Sequence, residues 1–406
     1  MTDSSLPLAG VRVVELGHFI AAPFCTRVMA DMGAEVIKVE PPVKGDPVRR
    51  WGMQVDGKAP WWSVHGRNKK SVTLNLKHPK AREIVLGLVA SAEIVVENFR
   101  PGQLESFGLG PEDLATARPG IVLVRISGYG QTGPEKARAS FGVIGEAQGG
   151  LRYLCDHPPG TSDLPPVRTG ISIGDSVAGL YGVGGALAAL LRQRSEGGAA
   201  ARVVDVALNE SVFSLLEGSL PEYSFDGTIR QPTGSTLPTN APSNAYRALD
   251  GVWVLIAANS DPLFAKLSRL IGKPDLPGDP RYADNPSRVA HARELDMMIG
   301  DWAAGRTADV IVAAMEAADI PCTRVATIAD CAADPQFLAR DMVHDVEDPT
   351  FGTISHPGAV PVFAGTDRKA AVRWTGPSVG EHTEDLLAEL GIGEAEIKSL
   401  REENLI

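Results

Sequence analysis

Short apolar runs rich in β-branched residues alternate with helix-period stretches through the first third of the chain. Residues 11–16 (VRVVEL) form such a run, and its weak polar alternation predicts a strand buried on both faces. The following HFIAAPFCTRVMADMG carries apolar positions at helical spacing and stops at a glycine. Strand patterns recur at 34–40, 70–76, 93–99 and 121–130, with a helix predicted over 79–92. Strand and helix alternating through short connections predict an α/β fold with a doubly wound parallel sheet. Ligands in such sheets bind beyond the carboxyl ends of the strands, which directs attention to segments 17–23, 41–46, 98–102 and 127–134.

A long amphipathic stretch at 176–194 and the segment 203–220 complete this first block. Composition then shifts to Pro, Thr, Ser, Gly and Asn over 221–244, which predicts a linker. A strand at 251–259 opens a second region, followed by helices around 262–271, 290–304 and 307–318. Beyond PCTRVATIADCAADPQF the pattern is irregular until a helix at 383–390. Two unequal domains are expected.

Composition narrows the class. In 406 residues, 44% are hydrophobic and 22% charged, enough to bury a sizeable core and too apolar for a disordered chain. The net charge of −11 (39 basic, 50 acidic residues) argues against generic nucleic-acid binding and against a polybasic membrane patch. The start, MTDSSLPLAGVRVVELG, lacks a signal pattern, and the most apolar stretch, 176–191, falls short of the ~20 residues that span a bilayer. The four cysteines show no CxxC pair and the eight histidines no HExxH, so neither a disulfide scaffold nor a metal site is expected, and a reduced cytoplasm is the expected location. GxGxxG, GxxxxGK[ST] and GxSxG are all missing, which leaves NAD, flavin and P-loop chemistry unsupported.

The most informative segment is PPVRTGISIGDSVAGLYGVGGALAALLRQR. Asp175 opens a helix that carries Gly179, Gly182, Gly184 and Gly185. As a helix cap, Asp175 is worth ~1 kcal/mol; as an ionised carboxylate near a helix N-terminus, it is a nucleophile candidate. Each interior glycine costs ~1 kcal/mol, which close approach of backbone or ligand would offset. In ENFRPG, Arg100 beside a Pro-Gly turn suits a phosphate contact or an exposed loop. Lys69, Lys70 and Lys77 flank a strand, as phosphate ligands or solvated gatekeepers. ISGYGQTGP offers backbone amides to an acyl group or anion, or is an ordinary turn. Trp61 and Trp62 stack a ligand or fill a core, and His18 stands at the first strand exit.

These stretches together resemble the class III CoA-transferases, the CaiB/BaiF family, over essentially the whole length. The resemblance is carried by LAGVRVVELGHFIAAPFCTRVMADMGAEVIKVEPP, NKKSVTLNLK, VENFRPG, ISGYGQTGP, GISIGDSVAGLYGVGGALAALLRQR, VDVALNESVF and GEHTEDLL, in this order. It implies a Rossmann-like large domain at 1–220, a linker at 221–245, a smaller α/β domain at 246–325 and a return segment at 326–406 that completes the large domain. It also implies an interlocked homodimer, acyl-CoA and a small carboxylic acid as substrates, and no metal, NAD or flavin. In GISIGDSVAG, Asp175 occupies the position of the family's catalytic aspartate, which forms aspartyl anhydride and aspartyl-CoA thioester intermediates. The CoA contacts carried over by position are His18, Phe19, Ile20 and Ala21; Leu74, Asn75, Leu76 and Lys77; Asn98, Phe99 and Arg100; and Arg138 and Phe141.

Departures from the family pattern refine the expectation. The formyl-CoA transferase branch has glutamine where this chain has Ile20, glutamate at Gly142, and a glycine-run loop where TGSTLPTNAPSNAYRALDG stands, which argues against oxalate and formate as substrates. An arginine of that branch falls on Pro41, with Lys44, Arg49 or Arg50 as substitutes. The racemases of 2-methylacyl-CoA in the same family need a histidine that falls on Phe141, and no histidine stands between His78 and His157. A transferase is therefore expected over a racemase, with a silent CoA-binding protein as the further alternative. SFGVIGEAQGG and TGS…APSN look most like members acting on dicarboxylic acids with succinyl-CoA, for which Arg168, Asn240, Asn244 or Arg247 offers a carboxylate partner.

Overall fold

The computed structural model describes residues 6–406; the expected absence of a signal pattern falls partly on residues 1–5, outside the described residues. The chain forms two compact units. The first contains residues up to Arg152, then Arg168–Thr228 and Pro335–Ile406, and the second contains Tyr153–Val167 and Ile229–Asp334.

The first unit is organised by a six-stranded sheet of β1 (Arg12–Glu15), β2 (Glu35–Glu40), β3 (Lys69–Thr73), β4 (Ile94–Glu97), β5 (Val122–Ser127) and β6 (Arg202–Ala207). Their order is β3-β2-β1-β4-β5-β6 and every pairing is parallel. The parallel α/β architecture expected from the apolar runs is therefore present, with its strand order reversing between β1 and β4. Period two explains the runs. Val13, Val36, Val96 and Val124 face one core with the helices Ala21–Asp31 and Ile173–Glu196, while Val14, Ile37, Val95 and Leu123 face the other with the helix Ala81–Ala90. That second core is closed by Leu386, Leu387, Ile397, Leu400 and Leu405 from the far end of the chain.

The long helix Ile173–Glu196 packs against Ala21–Asp31, β5 and β6. Its glycines at three-residue spacing make this possible: a Cβ at Gly179 would lie 2.9 Å from Phe24, at Gly182 3.1 Å from Cys25, and at Gly185 2.5 Å from Val204. Close backbone contact with the helix Ala21–Asp31 and with the sheet therefore offsets the cost of those three glycines, whereas Gly184 faces open space. The helix has 24 residues and is long and apolar enough to cross a membrane by length and composition alone; its glycine face here is spent on the sheet.

Three segments differ from the sequence expectation. The segment 203–220, to which the sequence pattern assigns no element, contains most of β6 and the helix Leu208–Phe213. A helix, Ser219–Asp226, occupies the start of the expected linker and ends at Gly227, whose φ of +80° releases the chain. The stretch read as irregular contains an antiparallel hairpin of β10 (Val343–Asp348) and β11 (Gly352–Pro357) in the first unit. VHDVED and GTISHP are too polar to register as strands, and the turn is set by Asp348 Oδ1, which accepts Thr350 N–H at 2.8 Å and Phe351 N–H at 3.2 Å.

The second unit has an antiparallel sheet of β7 (Ser243–Arg247), β8 (Trp253–Ala257) and β9 (Cys322–Arg324), backed by helices Asp261–Leu270, Ala292–Ala304 and Ala308–Ala317. Val254, Ile256, Leu267, Ile299 and Ile311 form its core. Segment 153–167 belongs to this unit, and Tyr153 donates to Gln231 at 3.0 Å.

The close helix–sheet contact is testable. Gly185→Val forces a side chain into Val204 and should lower stability by about 1–3 kcal/mol. Chemical denaturation reads this directly, and an unchanged midpoint contradicts the contact.

Candidate active site

A cavity of about 600 Å³ opens at the carboxyl edge of the sheet, across the β1/β4 switch point. Three strand exits shape it. Past β1, the His18 N–H donates to Asn98 Oδ1 at 2.9 Å while Asn98 Nδ2 donates to the His18 carbonyl at 2.8 Å, which ties the exits of β1 and β4 together. Gly17 is needed at this crossing, because a Cβ there would stand 2.6 Å from Asn98 Oδ1. Phe19 adopts φ +65°, unusual for a side-chain-bearing residue. Its N–H donates to Asp46 at 3.1 Å and its carbonyl accepts from His65 Nε2 at 2.9 Å. Past β4, the Phe99 N–H donates to Glu97 at 2.6 Å, and Glu97 is held by Arg125 of β5 at 2.7 Å.

The floor beneath these turns is charged and sealed. Lys38 of β2 contacts Glu15 of β1 at 2.6 Å, Asp46 at 2.8 Å and the Gly17 carbonyl at 2.9 Å. Lys69 of β3 takes the other Glu15 oxygen at 2.8 Å. All four side chains are essentially unexposed. Burial alone would raise the Glu15 pKa, but Lys38 and Lys69 overcome it and hold the group at about 2. Burial, then Lys38, lowers the His18 pKa, so the imidazole beside the cavity is neutral at physiological pH.

Most of the expected site residues meet here. His18, Phe19, Ala21, Leu74, Asn75, Leu76, Lys77, Asn98, Phe99, Arg100, Arg138, Phe141 and Asp175 all line this cavity. Ile20 does not: it is buried against Val48 and Trp62, where an apolar side chain is better placed. Lys69 is neither phosphate ligand nor solvated gatekeeper, since Glu15 consumes its charge, and Lys70 pairs with Glu35 at 2.6 Å. Of the three lysines only Lys77 faces the cavity. Pro41 lines it too, whereas Arg49 is engaged by Glu40 at 2.6 Å and stacks on Trp62, and Arg50 donates to the Lys44 carbonyl. Trp62 is buried and Trp61 lies beside Trp51 and His65. Asn240, Asn244 and Arg247 lie in the second unit, where Asn244 donates to Asp296 at 2.9 Å.

Asp175 sits in the first turn of the long helix and accepts no hydrogen bond among the described residues, so it is not the helix cap. Burial first, then Glu146, push its pKa up to about 6, against the opposing pull of Arg168. Gly142 leaves it room, since a Cβ there would stand 2.0 Å from Asp175 Oδ2. Phe141 presents its ring edge-on to Phe19 at 6.2 Å.

Sequence reasoning missed Glu15, Lys38 and Glu146, and also Lys136 and Leu208 on the cavity wall, while Asp46 and Ser127 fall within the strand-exit segments 41–46 and 127–134 without being singled out. A legible signal existed for the first two: a charge inside an otherwise apolar strand, as in VRVVEL and EVIKVE, asks for a buried partner. No group of three His, Cys, Asp or Glu side chains suited to a metal occurs among the described residues.

Strand exits rimmed by Lys77, Arg100, Lys136 and Arg138, with the Asp175 carboxylate inside, make a cavity whose charge suits an anionic ligand. The chain belongs to CoA-transferase family III, whose sequence profile matches residues 8–383. It is 45% identical over 403 residues to the succinyl-CoA–D-citramalate CoA-transferase of Chloroflexus aurantiacus, covering 98% of each chain. It is 33% identical over 389 residues to the succinyl-CoA:glutarate CoA-transferase of Mus musculus, covering 96% of this chain and 87% of that one. The crystal structure of a CaiB/BaiF family protein from Brucella suis superposes with a TM-score of 0.81 at 32% identity, covering 95% of this chain and 99% of that one. The family expected from the sequence is thus the family found, and the chain is a CoA-transferase.

The raised Asp175 pKa has a stability signature. A carboxyl whose folded pKa exceeds its unfolded value penalises the fold once it ionises. Asp175→Asn should therefore be more stable than wild type by about 1–3 kcal/mol above pH 6. The advantage should vanish as pH falls from about 6 through the 3.8 of an ordinary aspartate. Denaturation midpoints compared at pH 4 and pH 7.5 decide it; equal gaps at both pH values contradict the assignment.

Proposed function

We propose that the protein exchanges CoA between succinyl-CoA and a dicarboxylic acid, with Asp175 as the covalent nucleophile. One observation carries the reading: an aspartate carboxylate free of hydrogen-bond partners stands in the cavity that the strand exits and basic residues line. The activities of the relatives, on citramalate and glutarate with succinyl-CoA, support the donor and the acceptor class.

On this reading the acyl-CoA lies along the strand exits, its phosphates near Lys77, Arg100, Lys136 and Arg138 and its thioester at Asp175. An Asp175 oxygen attacks the acyl carbonyl, the C–S bond breaks, and CoA thiolate leaves a mixed anhydride. The thiolate attacks the aspartyl carbonyl and expels the donor acid as its carboxylate. The acceptor carboxylate then attacks the aspartyl thioester, freeing thiolate and forming a second anhydride. Thiolate attack on the acceptor acyl carbon releases the new acyl-CoA and restores Asp175. The anhydrides survive only if water is excluded, to which the Phe19 and Phe141 rings contribute. Arg168, electrostatically coupled to Asp175, is the side chain of the first unit best placed to hold the distal carboxylate.

We further propose that the working form is an interlocked homodimer. The outward face of the long helix and the segment after it leave Leu180, Tyr181, Leu191, Phe213, Leu220 and Tyr223 exposed, an apolar surface that a second copy would cover. Light scattering should give twice the chain mass, and differently tagged subunits should exchange only after joint unfolding and refolding; a monomer overturns this part. The four unpaired cysteines support a reducing, cytoplasmic setting.

Mass-spectrometric acyl exchange tests the chemistry. Wild type with succinyl-CoA and a panel of mono- and dicarboxylic acids should form new acyl-CoA species with dicarboxylates, and Asp175→Ala should form none. Arg168→Ala should raise the acceptor KM about tenfold or more while sparing that for succinyl-CoA. Exchange that survives Asp175→Ala removes the nucleophile assignment. No exchange, with α-deuterium uptake into a 2-methylacyl-CoA, points to a racemase instead; CoA binding without either reaction points to a silent binding protein.

A further inference from the structure

Two carboxylates converge on the first turn of the long helix, and their surroundings differ. The Ser172 side chain makes no capping bond, and Asp175 accepts none of the helix N–H groups. The Gly174 N–H instead points to Glu146 Oε1 at 3.4 Å, from the helix Gly142–Gln148. Glu146 is completely buried, and its other oxygen is held by Arg152 Nε at 3.2 Å. The approach is close on both sides: a Cβ at Gly174 would stand 3.1 Å from Glu146 Cγ, and one at Gly142 would collide with Asp175 Oδ2.

We propose that Glu146 is a positioning residue for Asp175: braced by Arg152, it takes over the capping of the long helix and leaves the Asp175 carboxylate unpaired and open to the cavity. The inference rests on the reading of Asp175 as nucleophile. A carboxylate that accepts backbone N–H bonds is stabilised as an anion, and is correspondingly a weaker base and nucleophile. With the capping role assigned to Glu146, Asp175 is spared that stabilisation, and the fixed negative charge of Glu146 nearby works in the same direction. Arg168 in the segment before the helix is the other charge that acts on Asp175, and the charged or titratable groups that line the same cavity are His18, Glu40, Lys77, Arg100, Lys136 and Arg138. The helices Ala21–Asp31 and Leu208–Phe213 present Ala21 and Leu208 to the cavity, which carry no charge.

Two variants separate the capping contact from the charge, read by kcat and by the pH profile of kcat/KM for succinyl-CoA exchange. Glu146→Gln keeps an acceptor for the Gly174 N–H but removes the negative charge, so the acid limb of kcat/KM should move to lower pH by about one unit. Glu146→Asp keeps the charge but withdraws the acceptor from the Gly174 N–H and frees that donor for Asp175, so kcat should fall about tenfold, with the succinyl-CoA KM changed less than about twofold. Each variant tests the proposal on its own if the other does not fold. An unmoved acid limb in Glu146→Gln, or wild-type kcat in Glu146→Asp, overturns it. Asp175→Asn, run alongside, should be inactive; full exchange by that variant refutes the nucleophile reading itself, which keeps the two failures distinct.

Discussion

The structure depends on charges that have nowhere to go but each other. Glu15, Lys38 and Lys69 sit on three adjacent parallel strands, sealed from water, with Asp46 closing the set. An unpaired charge at such depth is costly, so any slip of strand register that separates Glu15 from Lys38 is penalised far more than an apolar mismatch. The observed register pairs these two residues directly across β1 and β2. The same network reaches upward: Lys38 holds the Gly17 carbonyl, and Asp46 holds the Phe19 N–H. Strand register and the shape of the β1 exit are therefore one constraint, and that exit is one wall of the cavity.

A second constraint acts from the opposite side through the long helix. Three glycines bring its backbone onto β5, β6 and the first helix, and this approach carries Asp175 to the carboxyl edge of the sheet. Burial there favours the protonated acid, so the residue is stored in a state costly to the fold. The floor network and the glycine face supply the stability against which such a group can be held, a division common in enzymes that keep a destabilised side chain at the reaction centre.

Much of this was legible in the sequence. The apolar runs and their short connections mark the parallel sheet, and the rule that ligands bind beyond the carboxyl ends of its strands points to the exits that line the cavity. Asp175 stood out because interior glycines in a helix demand a reason. What stayed hidden has physical causes. β10 and β11 carry too many polar residues to give an apolar run, and β6 pairs with β5, a partner distant in sequence. Nothing local in GEAQGG marks Glu146, because Arg152 and a helix terminus from another segment are what enclose it. Ile20 shows the converse error, since position next to a ligand-contacting turn does not say which way a side chain points.

The composition of the cavity also bears on which reaction of the family fits. Inverting a carbon next to a thioester requires one base to remove a proton and another, on the opposite face, to return it. The family resemblance puts that second base at Phe141, whose ring packs against Phe19 and can neither accept nor deliver a proton. Glu146 does not replace it, because its two oxygens are turned toward Gly174 and Arg152. His18 is neutral but stands at the β1 exit, with its backbone tied to Asn98. Acyl exchange, by contrast, needs no second base, and a site with one unpaired carboxylate meets that requirement.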